Sequence, residues 1–387
     1  MTREILKVVN LSKTFGEKCV LDKVSFSLFD SETLVILGPS GTGKTTLLFL
    51  VAGFEQANTG SIYFKKTEIS HLPPYKRNFA MVFQDYALFN HLNVFDNIAF
   101  GLRARKFPKR EVKRKVIEAL EMVGLEGFEK RRIEGLSGGE QQRVALARAM
   151  VVAPEVILLD EPLSNLDAVL RVEMRSEIKK ILKAKNVSSI FVTHDQEEAF
   201  EIADRIAILQ DGNILQIGSP EEIYEQPACL FVAEFVGEAN FIEARVDAVN
   251  GEKIKVETYD ELALEVAKNP NYACQVGQKV NLMIRPEKLY LEPFEEIADY
   301  RPYLTGTVQD AVYSGDSVKL NIAVAQNGKI VIAKGDPNIR NRFPMGTKVR
   351  LVFEESAVRV FPAFPHTGFR HSHVNAQNYF NFRRKNS

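Results

Sequence analysis

Several things are scarce in this chain. It has three cysteines, Cys19, Cys229 and Cys274; they are odd in number, far apart and form no Cys-x-x-Cys pair. A disulfide framework or a zinc site is therefore not expected, and the simplest reading makes all three small buried apolar residues. Lys and Arg total 50 and Asp and Glu total 50, a formal net charge of zero, so no global field draws the chain to nucleic acid or to an anionic membrane. Purely apolar runs such as Leu47 to Ala52 fall far short of the ~20 residues a membrane span needs. The start, Met1 to Ile5, enters an alternating pattern without an apolar signal segment, and no internal repeat is visible. The expectation is a soluble chain of a reducing compartment, which would have to borrow another protein's helices for any business with a membrane.

What is present is ordinary globular material: 387 residues, 45% hydrophobic and 26% charged, enough for two or three domains. Up to about residue 236, short apolar runs alternate with helical patterns. Leu34 to Leu37, Ala80 to Phe83, Val156 to Leu159 and Ile190 to Val192 read as strands buried on both faces; Arg143 to Val152 and Leu170 to Lys183 read as helices. That rhythm predicts a mostly parallel sheet covered by helices. Val24 to Leu28 alternates with period two, as a half-exposed antiparallel strand does. From residue 237 to 362 the pattern changes to closely spaced strands: Lys279 to Ile284, Tyr303 to Val312, Ser317 to Ala325, Lys329 to Ala333 and Lys348 to Phe353. Turns such as Ser314-Gly315-Asp316 and the hairpin pair Asn327-Gly328 separate them, which predicts a small β-barrel or sandwich. Residues 363–387 lose periodicity and read as a disordered polar tail.

The chemistry begins at Gly38-Pro39-Ser40-Gly41-Thr42-Gly43-Lys44-Thr45-Thr46, which fits G-x-x-x-x-G-K-[ST] between a buried strand and a helix that stops near Gly53. Glycines let the backbone wrap phosphates and aim N–H groups at them, and the helix N-terminus adds favourable partial charge. Lys44 is placed to neutralise β- and γ-oxygens of a nucleotide, and the Thr45 hydroxyl to ligate Mg²⁺. Asp160 and Glu161 end the apolar run from Val156, at the strand end where open α/β sheets bind ligands. Asp160 is the candidate Mg²⁺ partner, and Glu161 the candidate to polarise an attacking water. A second anion-binding helix end is written at Ser137-Gly138-Gly139-Glu140, where Ser137 and Glu140 make a capping box around two glycines.

The string Leu136-Ser137-Gly138-Gly139-Glu140-Gln141-Gln142-Arg143 resembles the signature motif of ABC ATPases, and further motifs of that family stand in the family's order. Phe15 occupies the place of the aromatic that stacks on adenine. Gln84 matches the glutamine that senses the γ-phosphate and the membrane partner, and stands among the Mg²⁺ ligands. Ser164-Asn165-Leu166-Asp167 resembles the loop that bridges two ATPase subunits, with Asp167 at the nucleotide interface, and His194 matches the switch histidine at the γ-phosphate. The resemblance covers about the first 236 residues. It implies a P-loop ATPase domain, a mixed and mostly parallel sheet with a helical subdomain, followed by a β-rich, OB-like C-terminal domain. It further implies a homodimer in which each ATP lies between residues 38–45 of one copy and residues 137–140 of the other, with Glu161, His194, Lys44 and Gln84 as the catalytic set.

The stretch between Lys44 and Ser137 lacks the heptads of chromosome and repair members, each motif occurs once, and no fused membrane helices are present. Ile284-Arg285-Pro286-Glu287, Gly306-Thr307-Val308 and the junction Phe231 to Asn240 resemble importer ATPases of the spermidine/putrescine, iron(III) and sugar groups, the polyamine type nearest. That implies two transmembrane permease subunits as partners, an extracytoplasmic solute-binding protein acting through them, and a peripheral place on the cytoplasmic face of the inner membrane. The alternatives are an iron(III) or sugar cargo, and a soluble ABC ATPase that remodels a protein or nucleic-acid complex. Asn90 stands where the group often has Pro, at the expected permease contact. Two features carry less. Eight basic residues against one acid from Arg103 to Lys115 read as a solvated helix face, because no stacking aromatic accompanies them and no nucleic-acid partner is expected. His366, His371 and His373 lack the carboxylate or Cys partners of a metal site.

Overall fold

Thr33–Leu37, a strand apolar from Leu34 onward and buried along its whole length, lies inside a six-stranded sheet. In this computed structural model, residues 3–258, 262–269, 272–295, 301–324 and 329–363 are described. The sheet runs in the order Asn213–Gly218, Arg205–Gln210, Thr33–Leu37, Ser188–Thr193, Val156–Asp160, Phe79–Val82. All neighbours are parallel except the first pair, an antiparallel hairpin at one edge. Register decides where the chemistry falls. Leu37 pairs with Thr193 and Asp160 with Val192, so Gly38, Glu161 and His194 leave three adjacent strand ends on one edge of the sheet.

A second sheet, antiparallel, takes the order Lys18–Phe29, Glu4–Phe15, Thr59–Phe64, Thr67–Glu68. Leu6, Leu11 and Phe26 from it share a core with Leu47 and Leu48 of the helix Lys44–Ala52 and with Leu158 and Ile190 of the parallel sheet. The helices Val94–Ala104, Lys109–Met122 and Gly138–Met150 form the helical part. The basic run is therefore not one helix face. It spans the end of the first of these helices, a turn and the start of the second, with Arg103 paired to Asp96 (2.7 Å) and Arg105 donating to the Val152 carbonyl and the Asn78 side chain.

The chain divides into two units between Ile223 and Tyr224, earlier than the junction at residue 236 expected from the sequence. The reason is Arg285. Its guanidinium donates to the carbonyls of Tyr224 (3.1 Å), Ala233 (2.9 Å), Gly237 (3.0 Å) and Glu238 (3.1 Å), and the Tyr224 hydroxyl donates to Glu287 at 2.7 Å. The Arg285-Pro286-Glu287 string thus fastens the connecting segment to the second unit. That unit holds two antiparallel five-stranded sheets. One runs Ala263–Ala267, Lys253–Thr258, Asn240–Asn250, Lys279–Ile284, Arg359–Pro362; the other runs Tyr290–Pro293, Lys348–Val352, Tyr303–Tyr313, Val318–Val324, Ile330–Gly335. Their apolar faces make one core, with Val256 and Leu282 from the first sheet and Leu320 and Leu351 from the second.

The cysteine expectation needs correction. Cys229 is buried, but Cys274 is half-buried and Cys19 exposed, because Cys19 lies near the start of the hairpin strand Lys18–Phe29, opposite Thr14. Asn327-Gly328, the three histidines at 366, 371 and 373 and nearly all of the expected tail lie outside the described residues. Among the described residues no helix is long and apolar enough to cross a membrane.

Candidate active site

The phosphate loop is shaped by two glycines at which a side chain would force the neighbouring backbone to shift. A Cβ on Gly38 would stand 2.2 Å from the Leu209 carbonyl oxygen in the neighbouring strand. Gly43 has φ +99°, and a Cβ there would meet the Val20 carbonyl at 2.9 Å. The helix Lys44–Ala52 starts from Gly43 with no side-chain cap, so its first-turn N–H groups are left for a ligand. At its other end, sequence reasoning missed a clamp. The buried Arg77 donates to the carbonyls of Leu50 and Val51, both at 2.8 Å, and to those of Leu72 and Ser70; burial pulls its pKa down to about 10.

Lys44 is buried. Its ammonium donates to the Gly38 and Pro39 carbonyls at 2.9 Å each and lies 3.8 Å from Glu161 Oε1. Burial pushes its pKa down, and the carboxylates of Glu161 and Asp160 push back. Burial likewise pushes the Asp160 carboxyl up; the hydrogen bond from Thr45 Oγ1, 3.0 Å to Asp160 Oδ1, works the other way. A hydroxyl and a carboxylate held together at a buried strand end form an oxygen pair of the kind a hard divalent cation takes. Among the described residues no group of three or more His, Cys, Asp and Glu side chains is arranged to hold a metal ion.

Glu161 has φ +41°, in the left-handed region that a glutamate occupies at a cost of about 1–3 kcal/mol. Its N–H donates to the Val192 carbonyl (3.0 Å), and its own carbonyl accepts from Ser164 Oγ (2.9 Å). The result is a contact across adjacent strand ends: Glu161 Oε2 lies 3.1 Å from His194 Nδ1. The structure thus brings Lys44, Thr45, Asp160, Glu161 and His194 to one edge. Thr42 is buried and its hydroxyl donates to Pro39 O (3.0 Å), while Ser40, Gly41 and Thr45 are exposed and Thr46 is half-buried.

The other expected residues stand differently. Gln84 is exposed, and its main-chain carbonyl accepts from Asn165 Nδ2 at 2.8 Å. Asp167 caps the helix Ala168–Ala184, accepting from Leu170 N at 3.0 Å. Phe15 is exposed, with Lys13 Nζ 4.6 Å from its ring centre. Ser137 and Glu140 form the full capping box: Ser137 N donates to Glu140 Oε2 (2.7 Å) and Glu140 N to Ser137 Oγ (3.3 Å). Gly138 is exposed, while Gly139 is buried against Leu170, whose Cδ2 a Cβ would meet at 2.7 Å. Among the described residues no hydrogen bond or ion pair joins residues 137–140 to residues 38–46.

Residues 21–164 match the family described as ABC transporter, and residues 282–361 match the TOBE domain. The chain is 43% identical over 333 residues to the spermidine/putrescine import ATP-binding protein PotA of Legionella pneumophila, covering 86% of this chain and 90% of that relative. The chain belongs to the ABC transporter ATPases. A second relative with the same description, from Marinobacter nauticus, is 42% identical over 359 residues, covering 91% of this chain and 94% of its own. Among solved structures, CbiO1 of Clostridium perfringens, part of the ABC transporter complex CbiONQ, superposes with a TM-score of 0.54 at 29% identity, covering 57% of this chain and 90% of that one. As an ABC transporter ATPase, the chain binds ATP and couples its hydrolysis to transport.

Proposed function

We propose that this ATPase drives polyamine import, hydrolysing Mg·ATP in a homodimer beneath two membrane permease subunits that receive cargo from an extracytoplasmic binding protein. It would work at the cytoplasmic face of the membrane. The observation that carries the hydrolytic reading is the Glu161 carboxylate lying between Lys44 Nζ at 3.8 Å and His194 Nδ1 at 3.1 Å. Phosphoryl transfer to water asks the protein for positioning and for charge opposite the phosphoryl oxygens. Lys44, released from the Gly38 and Pro39 carbonyls, supplies the charge. Glu161 orients the attacking water and draws its proton, and His194 holds the carboxylate and reaches toward the γ-phosphate. Thr45 and Asp160 would hold Mg²⁺, which when bound neutralises charge on the phosphate oxygens; Gln84 would approach from its exposed loop. Phe15 offers an exposed ring for adenine.

Each nucleotide would be clasped between residues 38–45 of one copy and residues 137–140 of its partner, with Asp167 at the seam. Glu161→Gln keeps the shape but loses the base, so kcat should fall about 10²–10³-fold while ATP binding is retained; turnover at the wild-type rate would remove Glu161 from its role. The cargo reading follows the two relatives described as spermidine/putrescine importers, whose likeness runs through both units. Its test is ATPase stimulation of the chain assembled with its permeases by binding proteins loaded with spermidine, putrescine, iron(III) or a sugar. Stimulation by a polyamine-loaded protein supports the proposal; stimulation only by iron or sugar forms changes the cargo, and no stimulation by any of them overturns the polyamine reading.

A further inference from the structure

His194 is exposed, and among the described residues its ring is held by Glu161, 3.1 Å from Nδ1. What fixes its backbone lies behind it. The buried Thr193 hydroxyl accepts from Asp195 N at 3.0 Å and donates to Glu198 Oε2. Asp195 Oδ1 in turn accepts from Glu198 N at 3.1 Å and starts the short helix Gln196–Ile202. Glu198 is almost wholly buried, and burial raises its pKa against the pull of Thr193, Arg171 and Arg175. A buried carboxylate needs a cation. Arg175 turns to Glu197 and Glu201 (3.2 and 3.4 Å), and the group that faces both Asp195 and Glu198 is Arg171. Its Nε is 3.9 Å from Glu198 Oε1 and its Nη1 3.6 Å from Asp195 Oδ2. The third arm of the same guanidinium, Nη2, donates to the Leu166 carbonyl at 3.0 Å. Leu166 lies in the Ser164–Asp167 loop, whose Ser164 hydroxyl holds the Glu161 carbonyl and whose Asn165 side chain holds the Gln84 carbonyl.

We infer that Arg171 is a positioning residue for hydrolysis, a brace by which the 164–167 loop sets the backbone of His194 and, through it, the Glu161–His194 contact. Only a rigid planar fork can address a carbonyl and two carboxylates in three directions at once. Because the loop that Arg171 grips is the one expected at the seam between two copies, the arrangement carries the state of that seam to the histidine. The inference rests on the reading of Glu161 and His194 as hydrolytic residues.

The test is steady-state ATPase kinetics on the full chain. Arg171→Ala should lower kcat by about 10- to 100-fold, the scale of a misplaced catalytic group, with KM for ATP changed by no more than about twofold. In a His194→Ala background the same substitution should have almost no further effect, since it acts through that residue. If Arg171→Ala does not give folded protein, Thr193→Val carries the same comparison by removing the hydroxyl between Glu198 and Asp195 N. A wild-type kcat in Arg171→Ala overturns the inference, as does a loss that multiplies in full on top of His194→Ala, the behaviour of a purely structural residue. If His194→Ala itself hydrolyses ATP at the wild-type rate, the hydrolytic reading of that residue fails first, and the brace falls with it.

Discussion

The helix Lys44–Ala52 and the helix Gly138–Met150 begin in opposite ways. The first starts from a glycine in the left-handed region and has no capping side chain; the second starts from Ser137 inside a reciprocal box with Glu140. A helix start leaves four N–H groups without internal partners. At Gly138–Met150 the protein satisfies part of that need itself through the Ser137–Glu140 box, which does not use the N–H groups of Gly138 and Gly139. At Lys44–Ala52 it satisfies none with side chains, and instead holds a buried ammonium at its own loop carbonyls. The first end is built to be completed by an anion. The second carries its own cap, and Gly139 is kept small by Leu170, whose Cδ2 a Cβ would meet at 2.7 Å.

That contrast can be broken by substitution. The largest effect is expected at Lys44: Lys44→Ala should cut kcat/KM for ATP by about 10³-fold or more, since it removes a full charge opposite the phosphates. A loss under about tenfold would mean the uncapped end does not depend on its lysine. Next is Gly43→Ala, which demands a left-handed residue and a Cβ 2.9 Å from the Val20 carbonyl. It should destabilise the chain by about 1–3 kcal/mol in denaturant titration, and an unchanged midpoint would show that this helix start tolerates a side chain. The smallest is Ser137→Ala, expected to cost about 1 kcal/mol of stability by removing one arm of the box, with ATP affinity of the monomer unchanged. A large loss of monomer affinity would erase the distinction between the two ends.

The candidate site is readable in the sequence where its residues are close together along the chain. Gly38 to Thr46, Ser137 to Glu140 and the acids ending Val156–Asp160 each carry their meaning within a few residues, and buried parallel strands show as continuous apolar runs. What escaped is held by long-range bonds from arginine to backbone carbonyls, which leave no local pattern. Arg77 closes the end of the phosphate-loop helix, Arg171 ties two loops, and Arg285 draws the segment from Tyr224 into the second unit, so the boundary falls earlier than composition suggested. Asn165 holding the Gln84 carbonyl belongs with them. The strand Lys253–Thr258, by contrast, alternates exposed and buried residues without a break, a period-two signal carried by Ile254 and Val256. Arg359–Pro362 and Tyr290–Pro293 are too short to announce themselves.

The central claim is that one copy supplies residues 38–45 and another supplies residues 137–140 to a single nucleotide. Sedimentation of the Glu161→Gln chain with and without Mg·ATP, alone and carrying Ser137→Arg, tests it most directly. The account predicts that ATP converts Glu161→Gln from monomer to dimer and that adding Ser137→Arg abolishes the conversion while ATP still binds. A dimer that forms undiminished with Ser137→Arg, or a chain that stays monomeric at saturating Mg·ATP even with its permease present, would contradict it.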